Sequence, residues 1–164
     1  MENFRLGMRQ LAGAVTVVSA GVGEQEIAGL TATAVCSLTA EPPRLLACLN
    51  MRGRTFDILS RSGRFCVNLI GQHHRHVAER FAGMAGPAAS ESPFTEGEWA
   101  MAEDRAPRLL SAIAAFECRV HSINMLATHG LVIGDVEAVH VQPGAPPLLY
   151  HDGAFARLAA LTPT

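Results

Sequence analysis

The sequence has no excess of basic residues, and this narrows the classes of partner that it can serve. Thirteen lysine and arginine residues face fifteen acidic residues, which gives a formal net charge of −2. Because a basic excess is what holds a nucleic acid or an anionic membrane, we expect neither as a partner. Charged residues make up only 17% of the chain, whereas hydrophobic residues make up 49%. That balance excludes a disordered, charge-driven chain and predicts a substantial core.

Long apolar runs and closely spaced cysteine pairs are also missing. No apolar run reaches the roughly 18 residues of a membrane-spanning helix, so we expect none. Each of the four cysteines lies in an apolar segment, and no C-x-x-C pair occurs. We therefore interpret Cys36, Cys48, Cys66 and Cys118 as reduced core residues of a cytoplasmic protein. The length of 164 residues predicts one domain over residues 1–164.

Several catalytic signatures are absent. The chain contains no G-x-G-x-x-G or P-loop sequence and no G-x-S-x-G motif. Three histidines, His73, His74 and His76, lie close together, but no further cysteine or histidine of suitable spacing completes a metal site. We therefore predict no metal and interpret these histidines as part of a solvated helix face.

Short segments of alternating hydrophobicity dominate the chain. The main predicted strands are residues 15–19, 27–38, 45–49, 65–69 and 131–141, and the predicted helices are residues 4–11, 54–60 and 72–82. Of these strands, residues 45–49 form a continuous apolar run that predicts burial on both faces. Seven or eight short strands with two or three short helices favour a mainly β protein, an antiparallel barrel. Residues 83–97 form the longest loop, and we predict that they act as a lid.

Two segments could hold a ligand. Residues 29–37 are rich in small and hydroxyl side chains, so a flat ligand could approach the backbone closely, with Thr31 and Thr33 as hydroxyl partners. An ordinary threonine-rich strand is the alternative. Farther on, Asn50 ends a strand and a helix begins near Arg54 and Thr55. That arrangement suits a phosphate, although a capped helix with solvated arginines explains it equally well.

One histidine also stands at a position suited to ligand binding. His129 lies at a loop edge where a long strand begins, so its imidazole could donate to a phosphate, a carboxamide or a reduced cofactor. An ordinary turn histidine is the alternative.

Five stretches together carry a family resemblance. They are Gly-Leu-Thr-Ala-Thr-Ala-Val-Cys-Ser-Leu-Thr-Ala-Glu-Pro-Pro at 29–43, Leu-Leu-Ala-Cys-Leu-Asn at 45–50, Gly-Arg-Phe-Cys-Val-Asn at 63–68, Arg-Phe-Ala at 80–82 and Pro-Leu-Leu-Tyr-His-Asp-Gly-Ala-Phe at 147–155. In these stretches the chain resembles the flavin reductase-like, FMN-binding split-barrel family, which includes the reductase component of 4-hydroxyphenylacetate 3-monooxygenase. The resemblance covers nearly the whole chain.

The resemblance implies a fold, an activity and partners. The implied fold is an antiparallel split β-barrel with a few short helices, and the implied assembly is a homodimer. The implied reaction is hydride transfer from NADH or NADPH to FMN or FAD, which supplies reduced flavin to an oxygenase partner. The cofactor carries the chemistry, so the protein needs positioning groups rather than a catalytic acid or base.

The resemblance also implies which residues bind. The flavin would contact Thr31, Ala32, Thr33, Ala34, Val35, Cys48, Leu49, Asn50, Arg54, Thr55 and Phe81, and the nicotinamide co-substrate would contact His129 and Tyr150. Two motifs depart from the family pattern: G-D-H reads Ala-Thr-His at 127–129, and T-A-N-S reads Thr-Ala-Thr-Ala at 31–34. These departures keep two alternatives open. The chain could be a flavin carrier or sensor without turnover, or a flavin-dependent reductase of another acceptor, such as a corrin cobalt or a ferric chelate.

Overall fold

The computed structural model of the protein describes residues 2–23, 26–84, 92–95 and 97–160. Half of the predicted lid, residues 85–91 and 96, lies outside the described residues. The described strands are β1 (Gly13–Ala14), β2 (Thr16–Val22), β3 (Glu26–Ala32), β4 (Val35–Ala40), β5 (Pro43–Asn50), β6 (Arg64–Leu69), β7 (Trp99–Ala100), β8 (Arg108–Leu109), β9 (Ala114–Leu126), β10 (His129–Val141), β11 (Leu148–His151) and β12 (Ala154–Arg157). The helices are α1 (Glu2–Arg9), α2 (Arg54–Ser62) and α3 (Arg75–Phe81), the last preceded by a 3-10 turn at Gln72–His74.

Seven strands form one antiparallel sheet in the order β3-β2-β6-β9-β10-β5-β4. The strands β3 and β4 occupy opposite edges of this sheet, yet only Thr33 and Ala34 connect them in the chain. Two residues bridge at most about 11 Å between the flanking Cα atoms, so the two edges must meet at that end. The sheet is therefore rolled into a barrel that is split between β3 and β4, which confirms the predicted fold class. A smaller sheet, β1-β11-β12, lies beside it.

Two helices pack against this barrel. The buried face of α2 consists of Thr55, Phe56, Ile58 and Leu59, and the helix ends at Gly63, whose positive φ of 65° suits glycine. The Phe56 ring lies so close to Gly130 that no side chain fits at position 130. On the other helix, the Ala78 carbonyl of α3 accepts a 2.6 Å hydrogen bond from the Thr31 hydroxyl of β3.

A buried amide joins the barrel to the segment after the predicted lid. The Asn68 side chain is fully buried, and its Nδ2 donates to the Val17 carbonyl at 3.1 Å and to the Ser19 hydroxyl at 3.2 Å. Its Oδ1 accepts a hydrogen bond from the Leu109 amide at 2.8 Å. Every polar atom of this side chain has a hydrogen-bond partner, so these hydrogen bonds compensate the cost of removing the amide from water.

Three strand predictions need correction. The single strand predicted over residues 27–38 is wrong, because the chain crosses the split at Thr33 and Ala34 and so forms two strands. The prediction that residues 45–49 are buried on both faces is also wrong: Leu45, Ala47 and Leu49 are buried and alternate with half-buried neighbours. The count of seven or eight strands is too low, because the described residues contain twelve: it omitted three two-residue strands and took β3 and β4 as one strand.

The interpretation of the cysteines is half right. Cys66 and Cys118 are buried, and burial raises the pKa of the Cys118 thiol to about 12. Cys36, however, is exposed on the edge strand β4, and Cys48 is only half-buried. None of the helices over the described residues is both long and apolar enough to cross a membrane.

Candidate functional site

A cavity of about 500 Å³ opens where the barrel is split. Ten of the thirteen residues predicted from the sequence line it, and three do not. The ten are Thr31, Ala32, Thr33, Ala34, Cys48, Leu49, Asn50, Phe81, His129 and Tyr150. They come from segments far apart in the chain, so it is the folding of the sheet that brings them together.

Small side chains line the β3 end of the cavity, at the crossing of the chain from β3 to β4. Ala32 and Ala34 leave the backbone at the crossing uncovered by large side chains. On the neighbouring turn of α3, the Phe81 ring lies against Gly29, where a Cβ atom would stand 2.6 Å from Phe81 Cε1. The glycine thus makes room for Phe81, and the ring is only 7% exposed.

The second side of the cavity is built by the pairing of β5 with β10. Asn50 and His129 are partners in register at the ends of these strands. The Oδ1 atom of Asn50 accepts a 2.9 Å hydrogen bond from the Arg52 amide, which fixes the side chain at the turn. The Nδ1 atom of His129 lies 2.9 Å from the Thr128 hydroxyl. The imidazole is exposed at the mouth of the cavity, where a ligand can reach it.

Three predicted residues lie outside the cavity lining. Val35 lines a second, apolar cavity of about 330 Å³ on the other side of the chain crossing. Arg54 and Thr55 begin α2, a few residues beyond Asn50. Gly53 occupies the N-cap position of this helix, so no side chain caps its first-turn amides. An exposed Arg54 beside uncapped amides is an arrangement that favours an anion.

The sequence reasoning missed Phe155, which also lines the cavity. Its ring and that of Tyr150 meet edge to face, with centroids 5.5 Å apart and planes at 76°. A signal for this pairing was present in the sequence. Asp152 and Gly153 both have positive φ and form a two-residue hairpin turn, and such a turn makes Tyr150 and Phe155 cross-strand partners.

One cluster of charged residues away from the cavity surrounds the buried carboxylate of Glu117. Its Oε2 accepts from Arg105 at 2.7 Å, and its Oε1 lies 3.2 Å from Arg108 and 2.9 Å from His140. Burial alone would raise the pKa of Glu117, but the hydrogen bonds from Arg105 and His140 outweigh it and hold the pKa below its usual range. This cluster is an ionic anchor between β9 and the segment before it.

The cavity suits a flat heterocycle that is held without strong charge. Its volume lies within the range of about 300–1,000 Å³ that is usual for small-molecule sites. The lining combines aromatic rings with small residues, hydroxyls and one amide, and the titratable groups that the described residues contribute to it are Cys48, His129 and Tyr150. That set can position a ring and read its edge. Over the part of the chain that the structure describes, the lining holds neither paired carboxylates nor a nucleophile with an adjacent base. Its aromatic, small and hydroxyl side chains are compatible with a flavin.

Comparison with known proteins decides the family. The model of the flavin reductase-like domain matches residues 8–159. The chain belongs to this family. It is 39% identical over 147 residues to a protein named FMN reductase (NADH) RutF 2 from Methylorubrum extorquens, with 90% of this chain and 83% of that protein covered. It is 33% identical to the 4-hydroxyphenylacetate 3-monooxygenase reductase component of Pseudomonas aeruginosa, with 96% and 91% covered.

Solved structures agree with this assignment. The chain superposes with a TM-score of 0.81 on the styrene monooxygenase flavin reductase from Pseudomonas putida S12, at 28% identity and with 98% and 99% of the two chains covered. It also matches an NADH:FAD oxidoreductase from Streptomyces globisporus C-1027 in complex with NAD and FAD fragments, with a TM-score of 0.84, 26% identity, and 96% and 92% covered. The predictions of the family, of the split-barrel fold and of a flavin reductase enzyme are therefore confirmed.

Proposed function

We propose that this protein transfers a hydride from NADH to FMN bound in the cavity at the barrel split, and that it supplies the reduced flavin to a separate monooxygenase. The observation that carries the proposal is the convergence of ten sequence-predicted residues on one cavity of suitable volume. The relatives' names add support, since they include NADH-dependent FMN reductases and a reductase component of a monooxygenase.

The proposed flavin site follows the two strand ends. Residues 31–34 and 48–50 would border the ring system, with Phe81 packed beside it. Arg54 and Thr55 would meet the phosphate at the uncapped start of α2. When bound, the flavin supplies the hydride-accepting chemistry. FAD is the alternative to FMN, because the same ring could bind with its longer tail extending out of the cavity.

The protein's own groups would orient and shield the reactants. Tyr150 and Phe81 would pack against the bound rings, and His129 would hold the co-substrate through its exposed imidazole. Proton transfer to or from a side chain is not required, because the reaction needs two rings in contact rather than an acid or base. NADPH is the alternative co-substrate, but the relatives whose names specify a co-substrate specify NADH, which favours NADH here.

Two other functions remain as alternatives for the same cavity. A flavin carrier or sensor would bind FMN in the same place without turnover. A reductase of another acceptor, such as a corrin cobalt or a ferric chelate, would pass electrons onward instead of releasing reduced flavin. The altered motifs at residues 31–34 and 127–129 motivate both alternatives, whereas the names of the relatives favour the flavin reductase.

A second copy of the chain is the proposed structural partner. Helix α1 has no buried residue, and its Phe4 is 71% exposed. The tip of the β9–β10 hairpin adds exposed Met125 and Leu126 next to His129. Apolar surface of this kind marks an interface, so we propose a homodimer. Sedimentation equilibrium should give a mass of about twice 17.4 kDa, and a monomer at micromolar concentration would refute this part of the proposal.

The proposed activity is tested by following NADH oxidation with FMN as acceptor. Steady-state assays with NADH and NADPH, each paired with FMN and FAD, should show turnover, which is greatest with NADH and FMN. A ferric chelate and a corrin in place of free flavin test the alternative acceptors. Flavin binding without oxidation of either nicotinamide would instead support a carrier or sensor. The four unpaired cysteines fit a reducing compartment, so we place this activity in the cytoplasm.

A further inference from the structure

The aromatic pair Tyr150 and Phe155 in the cavity wall is contacted by an arginine side chain from outside the cavity. Phe155 is half-buried and meets the Tyr150 ring edge to face. The guanidinium carbon of Arg75 lies 5.1 Å from the centroid of the Phe155 ring. This distance is within the roughly 6 Å over which a cation is attracted to an aromatic face. Arg75 itself does not line the cavity, so it contacts Phe155 from outside the cavity.

Arg75 is in turn held by its own helix. Its Nε atom donates to Glu79 Oε1 at 2.7 Å, one turn farther along α3. The same helix carries Phe81, which lines the cavity. Arg75 therefore links two walls of the cavity, because it joins α3 to the C-terminal strand β12. Its side chain remains 60% exposed, so packing alone does not explain the contact with Phe155.

The walls of the cavity differ in what they offer a ligand. The ends of β3 and β5 present hydroxyls, an amide and backbone groups, which can read the edge of a heterocycle. Phe155 presents an apolar ring without a hydrogen-bonding group, which suits stacking. Its cross-strand partner Tyr150 is the residue predicted to contact the nicotinamide, so Phe155 lies on the co-substrate side of the cavity.

We propose that Phe155 is a binding residue for a planar ring of the nicotinamide dinucleotide, and that Arg75 is a positioning residue that holds Phe155 in the wall. This inference rests on the proposed function, since it assumes that a dinucleotide enters the cavity. It assigns roles to two residues for which the sequence predicted none.

The test measures binding and turnover separately. Phe155→Leu keeps the apolar bulk but removes the aromatic face, while Phe155→Tyr keeps the ring. Arg75→Ala removes the cation and Arg75→Lys retains it. For each variant, isothermal titration calorimetry of the FMN-loaded protein gives the dissociation constant of NAD⁺, flavin fluorescence gives that of FMN, and steady-state kinetics give KM for NADH.

Arg61→Ala is the matched control. Like Arg75, Arg61 is an exposed arginine with an ion pair to an acidic residue one helical turn away, here Asp57 at 3.0 Å. Among the described residues, a cation over an aromatic ring is found for Arg75 and not for Arg61. A general effect of deleting a helix-surface arginine would therefore appear in both variants.

We expect Phe155→Leu to raise the NAD⁺ dissociation constant and KM for NADH by about three- to tenfold, from the usual strength of ring pairs. Arg75→Ala should raise both by about two- to fivefold, and the FMN dissociation constant should stay unchanged. Phe155→Tyr and Arg75→Lys should restore values near those of the native protein, as should the Arg61→Ala control. In a Phe155→Leu background, Arg75→Ala should have no further effect, because its action passes through the ring.

Three results would overturn the inference. Unchanged NAD⁺ binding in Phe155→Leu would remove the ring from the co-substrate site. An equal loss of FMN affinity would assign Phe155 to the flavin instead. Additive effects of Arg75→Ala and Phe155→Leu would mean that Arg75 does not act through Phe155. If the native protein itself neither binds NAD⁺ nor oxidises NADH, it is the proposed function that fails, and the inference fails with it.

Discussion

Gly29 is the position at which a single methyl group should change flavin binding. A Cβ atom at residue 29 would lie 2.6 Å from Cε1 and 2.7 Å from Cδ1 of the Phe81 ring. Ordinary contact begins near 3.4 Å, so in Gly29→Ala the ring or the strand must move by about 0.8 Å. Phe81 has little room to do so, because its centroid lies 5.0 Å from that of Phe94 and 5.3 Å from that of Trp99.

The expected cost follows from this crowding. Overpacking of a filled core typically costs about 1–3 kcal/mol, so the free energy of unfolding of Gly29→Ala should fall by that amount. Phe81 lines the cavity, and a displaced ring would narrow it. We therefore expect FMN affinity to fall by about tenfold, equivalent to ~1.4 kcal/mol. The assays are urea unfolding followed by circular dichroism and FMN titration followed by fluorescence.

A double-mutant cycle isolates the cause. Phe81→Leu removes the ring that meets the new methyl group, so adding Gly29→Ala to it should cost much less than in the native background. Gly7→Ala is the control, because a Cβ at residue 7 meets nothing within 4 Å. Native-like stability and native-like FMN affinity in Gly29→Ala would refute the argument that Phe81 is held rigidly against the strand.

Three further predictions concern charge and co-substrate binding. Arg54→Ala should weaken FMN by about tenfold while riboflavin binding hardly changes, because the lost contact is to phosphate; an equal loss for both ligands, by fluorescence titration, would displace the phosphate site. His129→Ala should raise KM for NADH and leave the FMN dissociation constant unchanged; unaltered steady-state kinetics would remove His129 from the site. Glu117 has a lowered pKa, so its stabilisation is present above the unfolded pKa of about 4.5 and is lost as the pH falls through the folded value. Glu117→Gln should therefore lower the free energy of unfolding by about 1–3 kcal/mol near pH 7 and weaken the fall of that free energy at acid pH. A fall at acid pH as steep as that of the native protein would exclude Glu117 as its cause.

The general architecture was readable from the sequence because local patterns specify it. The run of residues 54–60 followed by Gly63 predicted α2, and the glycine indeed ends that helix. The long alternating pattern of residues 131–141 predicted β10, which extends two residues farther at its start. In both cases, hydrophobic periodicity and a turn residue act within one segment, so no distant contact is needed to interpret them.

The break between β3 and β4 could not be read in the same way. Residues 27–38 continue to alternate through Thr33 and Ala34, and nothing in that local pattern marks an interruption. The chain leaves one edge of the sheet there and joins the other, which is a consequence of how seven strands close into a barrel. The same closure decides that Val35 faces a different cavity from Thr31.

The residues that line the cavity follow from the family resemblance more than from residue chemistry. From its sequence neighbours alone, His129 cannot be distinguished from an ordinary turn histidine. Asn50 likewise cannot be distinguished from an ordinary residue at the end of a strand. Their proximity depends on the register between β5 and β10, which no local signal specifies. Phe155 was accessible in principle, because the Asp152–Gly153 turn fixes its pairing with Tyr150. Arg75 was not, because its contact joins a helix to a strand that lies far along the chain.

Anaerobic stopped-flow absorbance tests the central claim most directly. The purified protein is loaded with FMN under nitrogen and mixed with NADH, and the visible flavin band is followed through a single turnover. The account predicts rapid bleaching of that band at a rate that saturates with NADH concentration, and a slower change in His129→Ala at low NADH. A bound flavin that stays oxidised with both NADH and NADPH would contradict the proposed reductase and favour a carrier or sensor.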